Sequence, residues 1–375
     1  MKTQKNPEPL SALTRRRGDP IDNAVGRTSL RMGRITLSHG SGGRASQELV
    51  DEIFGPALAS PALDERRDAG VFSLDDTPGG ETLALTTDSY VVSPLFFPGG
   101  DIGRLAVNGT VNDLAVVGAR SPRLSVPVIL EEGFSMDELR AVVASIQEAA
   151  REAGATVVTG DTKVVERGYG DGLYVNTSGV GRVWTDLPLS LAAARPGDRV
   201  LVSGTVGDHG TAVTLARQRM KSHGDVESDT APLHQLVERL LQDVGPSVRS
   251  LRDATRGGLA SALNEIAERS GTGIALDAAN VPIRPAVRAA CEQMGVDPLH
   301  MANEGKVVAV VAPEAADGAL AALQADRLGA EAAVVGEVLE TPPGMVFVRA
   351  EQKSARASGH RVLDTRIGDP LPRIC

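Results

Sequence analysis

A chain of 375 residues, 42% hydrophobic and 23% charged, has the length of about two globular units, each able to bury its own core. Its formal charge of −9 and aromatic content of 3% argue against nucleic acid as a partner, which would need basic surfaces and exposed rings for stacking. No apolar stretch approaches a membrane span, and two cysteines, Cys291 and Cys375, make no disulfide framework, so a cytoplasmic protein without a membrane partner is expected.

In chain order, residues 1–36 carry eight Lys/Arg against three Asp/Glu, leaving −14 on the remainder. The run Arg15, Arg16, Arg17 lacks the apolar core of an export signal. Residues 1–34 are expected to be a disordered basic extension, with Met32 an alternative start. The regular pattern begins at "RITLSHGSGGRASQELVDEIF", where a glycine turn leads into a helix over Ala45 to Phe54 with Leu49, Val50, Ile53 and Phe54 on one face. "TLALTTDSYVV" predicts a strand through Asp88. "IGRLAVNGTVNDLAVVGA" has helical spacing interrupted at Gly109, and "MDELRAVVASIQEAAREAG" is an amphipathic helix closed by Gly154. "ATVVTGDTKVV" and "LYVNTSGVGRV" are strand-like.

The stretch "TDLPLSLAAARPGDR" separates a first unit, 35–185, from a second, 196–349, which opens on the strand "VLVSGTVGDHG" and alternates strands with helices. An α+β or α/β fold with two cores follows. Beyond Ala350 the pattern is lost, and 350–375 is expected to be a mobile tail ending in "LPRIC". A cysteine placed last in the chain cannot serve a core. About 25 residues at roughly 3.3 Å each could carry Cys375 tens of ångströms into a cleft, whereas Cys291, at an apolar position of a helix, is a core residue.

Five aspartates, Asp68, Asp88, Asp113, Asp161 and Asp253, recur at strand ends or in turns, places suited to holding Mg²⁺ beside phosphate oxygens. "HGSGGRA" offers bare backbone N–H groups as a phosphate cradle, and "SGTVGDHGTA" raises the same possibility in the second unit. Lys163 follows Asp161 where an ammonium could neutralise phosphate charge; Glu304, in the glycine turn "MANEGKV", is placed for general base work or for a purely local role. His39 and His209 lie in glycine turns and are read as structural.

The segments "LSHGSGGRASQELV", "TTDSYVVSPLFFPGGDIG", "VTGDTKVVERG", "VSGTVGDHG", "LRDATRGGL", "ANEGK" and terminal "PRIC", in this order, resemble the HypE family of hydrogenase maturation proteins over residues 35–375. The aspartate motifs are shared with aminoimidazole ribonucleotide synthetase, thiamine-monophosphate kinase and selenophosphate synthetase. The resemblance implies a two-domain PurM-like fold, with first domains pairing through a β-barrel into a homodimer. It implies ATP-dependent dehydration of a carbamoyl group, loaded by the carbamoyltransferase HypF onto the terminal thiol, to a thiocyanate; the cyano group then passes to iron on a HypC–HypD scaffold.

By that resemblance Cys375 is the carrier thiol, with Lys163 and Glu304 as catalytic candidates. ATP would be held at Gly40, Ser41, Gly42, Gly43, Asp88, Asn112, Asp113, Gly160, Asp161, Thr162 and Asp253, and Mg²⁺ at Asp68, Asp88, Asp113 and Asp161. Two other readings stand beside it: a small-molecule kinase or synthetase of the same superfamily, and a non-enzymatic carbamoyl carrier.

Overall fold

The computed structural model describes residues 34–40, 42–58, 60–74, 81–187, 189–220, 224–349, 360–366 and 373–375. The basic extension up to residue 33 and Ser41 of the glycine loop lie outside the described residues.

The first unit is a seven-stranded sheet. Strands β1 (Gly70–Ser73), β2 (Thr82–Tyr90) and β9 (Leu173–Val183) run side by side, while β3 (Phe96–Phe97) and β4 (Gly100–Asp101) form a small separate hairpin. Along its other edge β9 pairs with both β5 (Ala119–Ser125) and β6 (Val128–Glu131), which are extended outward by β7 (Thr156–Thr159) and β8 (Thr162–Val165). In β2, alternation turns Ala84, Thr86, Asp88 and Tyr90 to the inner face and leaves Leu85 and Thr87 exposed.

That inner face packs on the helix Ile102–Val116. Asp101 starts this helix by accepting hydrogen bonds from the N–H groups of Gly103 (2.7 Å) and Arg104 (3.2 Å), a cap worth about 1 kcal/mol. Apolar or small residues occupy most of the helix surface, so all but Arg104 and Asp113 are buried, with one side on the first sheet and Ala115 and Val116 in the core of the second unit. The expected interruption at Gly109 does not occur. The helix is continuous there, and a Cβ on Gly109 would stand 2.1 Å from Tyr90 Oη, so glycine is required for the approach of the neighbouring strand.

The second unit is another seven-stranded sheet, in the order β11 (Val248–Asp253), β13 (Val307–Val311), β10 (Arg199–Val202), β14 (Ala333–Leu339), β12 (Gly273–Asp277), β15 (Met345–Arg349) and β16 (His360–Val362). Among the described residues of this sheet only β12 and β15 are parallel. Buried on both faces, β13 reads as an uninterrupted apolar run. Two expectations are corrected here. The opening strand ends at Val202, and "GDHG" already belongs to the helix Asp208–Gln218. The tail does not start at 350: residues 360–362 add an edge strand, and Leu363 is fully buried in the core. A three-residue strand carries too little alternation to be read from sequence.

The expected helix Ala45–Phe54 is present with altered geometry, α-helical over Arg44–Leu49 and wider over Val50–Phe54. Its apolar face is uncovered: Val50, Ile53 and Phe54 are exposed. This segment is fastened to the second unit instead, through Arg44 N–H to Arg366 O (3.0 Å), the Arg44–Asp364 ion pair (3.0 Å) and Arg269 with Asp64 O.

Candidate active site

A cleft between the units collects the acidic residues. The inward alternation of β2 sets Asp88 against one face of the helix Ile102–Val116, where Gly109 and Asp113 are one turn apart. Thr86 Oγ1 donates to Asp113 Oδ2 (2.7 Å) and contacts Asp68 O (3.1 Å), and Asp88 Oδ2 accepts from Tyr90 Oη (3.3 Å) and Thr110 Oγ1 (3.4 Å). From the second unit β11 ends at Asp253. Carboxylate oxygens of Asp68, Asp113 and Asp253 all lie within 4.8 Å of one another.

These acids repel one another in poor contact with water. Burial, then Asp88 and Asp253, push Asp113 well above the ordinary carboxylate range; burial raises Asp88; and burial, with Asp88 adding, lifts Asp253 to about 6 despite Arg252 beside it. Arg252 bridges Asp68 and Glu265, the latter at 2.9 Å. Three convergent carboxyl groups, only partly balanced by Arg252, are a hard-oxygen donor set that fits Mg²⁺. Of the expected metal ligands, Asp68 and Asp113 join this cluster with Asp253, Asp88 lines the adjoining cavity, and Asp161 lies elsewhere.

Glu304 closes the floor. Its loop is pinned by Asn303, which accepts from Gly207 N–H (2.7 Å) and donates to Ala254 O (2.8 Å), and by Asp229, which accepts from Glu304 N–H (3.0 Å) and from Lys306 Nζ (3.0 Å). A Cβ on Gly305 would lie 1.9 Å from Asp229 O, so no other residue fits this turn. Glu304 itself is 3% exposed, and its Oε1 has no hydrogen-bond partner among the described residues. Burial first, then Asp253 and Asp229, hold its carboxyl far above the usual range.

The chain terminus reaches this cleft in its own subunit. Cys375 shares a cavity of about 50 Å³ with Asp88, Tyr90, Asp113, Asp253, Arg256 and Glu304. Behind it Ile374 is 2% exposed, packed in the core of the first unit. Arg373 O accepts from Ser93 N–H (3.3 Å) and from Arg217, Arg373 pairs with Asp171, and His209 Nε2 lies 2.9 Å from Ile374 O. The terminal residues of the expected mobile tail are therefore docked.

The glycine loop reaches the same cleft, because Arg256 donates to Gly40 O (2.6 Å) and a Cβ on Gly42 would sit 3.1 Å from Arg256 Cβ. Gly43 stands at the cap of the helix Arg44–Leu49. Arg256 is held more firmly protonated, first by the negative charge at Cys375 and then by Glu304.

Four expected residues are not brought to the cluster. Gly160, Asp161, Thr162 and Lys163 occupy the break between the outer strands β7 and β8 and the start of β8, and Lys163 and Asp161 pair with each other at 2.8 Å, with side chains 68% and 60% exposed. Across the sheet, Tyr90 pairs with Val175, Val175 with Val128 and Val128 with Thr162, three strand steps or about 14 Å. Strand order decides this, and no local pattern reports it. Asn112, expected at the nucleotide, is 1% exposed and spent between the units: it accepts from Leu233 N–H (2.7 Å) and donates to Ala231 O (3.1 Å) and Glu304 O (3.3 Å).

Sequence reasoning misses Arg256, Tyr90, Arg217 and Asp171, and places His209 in a purely structural role. Only Arg256 carries a signal, lying inside the same "RDATRGG" segment as Asp253. Cys291 is buried as expected, 3.6 Å from Thr211 Oγ1.

Two α/β units that meet over a carboxylate-lined cleft define an AIR synthase related protein: the model of that family's N-terminal domain matches residues 66–183 and that of its C-terminal domain residues 195–349. Within this class the chain belongs to the carbamoyl dehydratase HypE family. It is 48% identical over 347 residues to carbamoyl dehydratase HypE of Cupriavidus necator, covering 92% of this chain and 96% of that protein. It is 46% identical over 349 residues to carbamoyl dehydratase HypE of Escherichia coli, covering 92% and 100%. A crystal structure of the hydrogenase maturation protein HypE in complex with ATP superposes with TM-score 0.75 at 45% identity over 91% of this chain and all of the other, and one of a HypE–HypF complex with TM-score 0.78 at 42% identity over 85% and 99%.

Proposed function

We propose that this protein carries out ATP-dependent dehydration of a carbamoyl group on its own Cys375 thiol, giving a thiocyanate that supplies cyanide for the iron of a NiFe hydrogenase. The observation that carries this reading is the terminal cysteine seated in the same cavity as Glu304 and the aspartate cluster. A kinase or synthetase acting on a small soluble substrate would have no use for its own chain end there, and a pure carrier would have no use for the acids.

The conversion is R–S–C(=O)NH₂ + ATP → R–S–C≡N + ADP + phosphate. ATP supplies the phosphoryl group that turns the poor amide oxygen into a leaving group, and Mg²⁺ held by Asp68, Asp113 and Asp253, with Asp88 alongside, would offset the phosphate charge. Glu304 takes one N–H proton as the amide oxygen is phosphorylated, and the second leaves with the departing phosphate. An uncommitted carboxyl oxygen in a site that raises its basicity suits it to that work. Arg256 adds a fixed positive charge beside Cys375 and holds the glycine loop at the cleft. The docked tail excludes water that would hydrolyse an activated intermediate.

A homodimer is part of the proposal. The outer edge of the first sheet is bare, with Val157, Val158 and Val164 on β7 and β8 exposed, together with Ile129, Leu85 and Phe72. Uncovered apolar edge strands call for pairing. Two such edges joined as a barrel would carry Asp161 and Lys163 towards the partner's acidic cluster, giving the "GDTK" segment a use it lacks within one chain. A HypF-type carbamoyltransferase would load Cys375, and the cyano group would pass to a HypC–HypD scaffold in the cytoplasm.

Intact-mass analysis tests the reading. After carbamoylation the full chain should gain one carbamoyl group and then lose one water only when ATP is added. A carbamoyl adduct that persists with ATP would leave a carrier, and phosphorylation of a soluble substrate by protein lacking Cys375 would leave a kinase.

A further inference from the structure

The docked tail is gripped chiefly through its main chain, and the central contact fixes a protonation state. The oxygen of Ile374 can only accept, so His209 Nε2, 2.9 Å away, must carry a hydrogen. The ring is fully buried, and burial pushes its pKa below the ordinary histidine value. Nδ1 is then an acceptor, and its partner at 2.8 Å, Ser228 Oγ, must donate to it while accepting the Thr230 N–H at 3.2 Å. Ser228 is tied in turn to the first unit through its N–H to Pro98 O (2.8 Å), and Phe97 meets the imidazole edge-on at 5.4 Å. Every hydrogen in the chain Thr230, Ser228, His209, Ile374 runs in one direction, ending on the residue before the reacting cysteine.

We propose that His209 is the positioning residue for the tail, a buried donor of single tautomer, set by Ser228, that holds Ile374 and so fixes Cys375 in the cleft. The inference rests on Cys375 being the reacting thiol. With Ile374 seated in the core and Arg373 paired to Asp171, the last three residues are held as a read sequence and Cys375 is presented at one place.

The test uses full-length protein and two readouts: the rate at which iodoacetamide alkylates Cys375, with Cys291 buried and silent, and single-turnover water loss from the carbamoylated tail by intact mass. His209→Leu removes the donor, His209→Gln restores an amide N–H, and Ser228→Ala removes the group that sets the tautomer. His209→Leu should alkylate about five- to tenfold faster and dehydrate more slowly by a similar factor, with ATP affinity unchanged, the effect of one lost hydrogen bond. His209→Gln should recover most of this, and Ser228→Ala should fall between. Wild-type alkylation in His209→Leu overturns the proposal. Should that variant not fold, wild-type alkylation in Ser228→Ala overturns it equally. Failure of the wild-type tail to lose water with ATP would instead sink the parent reading while leaving the order of alkylation rates intact.

Discussion

Replacing Asp253 with Asn should make the metal-free protein more stable and the enzyme worse. Asp253 is 6% exposed among other acids, and its carboxyl is raised from 3.8 to about 6. A folded-state pKa above the unfolded one means that the native protein binds more protons between those two values, so stability falls as pH rises through that window and the loss is complete above about 6. At about 1.4 kcal/mol per unit, the ionised side chain costs the folded state on the order of 3 kcal/mol at pH 8 and about 0.5 kcal/mol at pH 4. Asp253→Asn removes that cost. For a unit of this size the gain corresponds to about 6–12 °C in melting temperature. Thermal unfolding in chelator at pH 8 and at pH 4 checks it, with the gain confined to the higher pH. Added Mg²⁺ and ATP should reverse the ranking, because the wild-type carboxylates then acquire a cation and the amide offers a poorer ligand. A variant no more stable than wild type at pH 8, or equally stabilised at both pH values, would refute the claim that burial and neighbouring acids outweigh Arg252 at Asp253.

Glu304→Gln keeps the buried shape but removes the proton acceptor; dehydration followed by mass should fall by about 10²–10⁴-fold while carbamoyl loading continues. Gly109→Ala would place a methyl 2.1 Å from Tyr90 Oη, displacing the ring from Asp88 at a cost of about 1–3 kcal/mol, read as a lowered melting temperature. Asn112→Ala removes the acceptor of Leu233 N–H and the side-chain donor to Ala231 O, while Glu304 O keeps Ala231 N–H, and should lower stability by about 2–4 kcal/mol in urea unfolding. If the "GDTK" segment serves the partner's cleft, Lys163→Ala and Asp113→Asn chains, each inactive alone, should recover about a quarter of wild-type turnover when mixed and allowed to exchange. No recovery on exchange would confine this segment to its own chain.

Local physics makes much of this protein legible in the order of its residues. Alternation in "TLALTTDSYVV" sets Asp88 on an inner face because successive strand residues must point to opposite sides. The amphipathic run from Met136 forms its helix, whereas the expectation that the last cysteine has no core beside it fails, because Ile374 is buried in the core of the first unit and Cys375 packs against it. The glycines of "HGSGG" and "NEGK" announce tight backbone without saying against what. Gly42 meets Arg256 and Gly305 meets Asp229, partners over 200 and over 70 residues away.

Long-range assembly decides the rest. Asp161 and Asp253 sit in equally suggestive turns, yet strand order puts Asp253 in the cluster and leaves Asp161 on an exposed edge of the same chain. Asn112 and Asp113 are neighbours on one helix, and the helical turn between them sends one into contacts between the units and the other to the cleft. Motif spacing constrains which residues carry chemistry, since residue type and local backbone are set within a few positions. Which of them meet, and that His209 and Arg256 meet the chain end at Ile374 and Cys375, depends on how two sheets and one buried helix pack, information distributed over the whole chain.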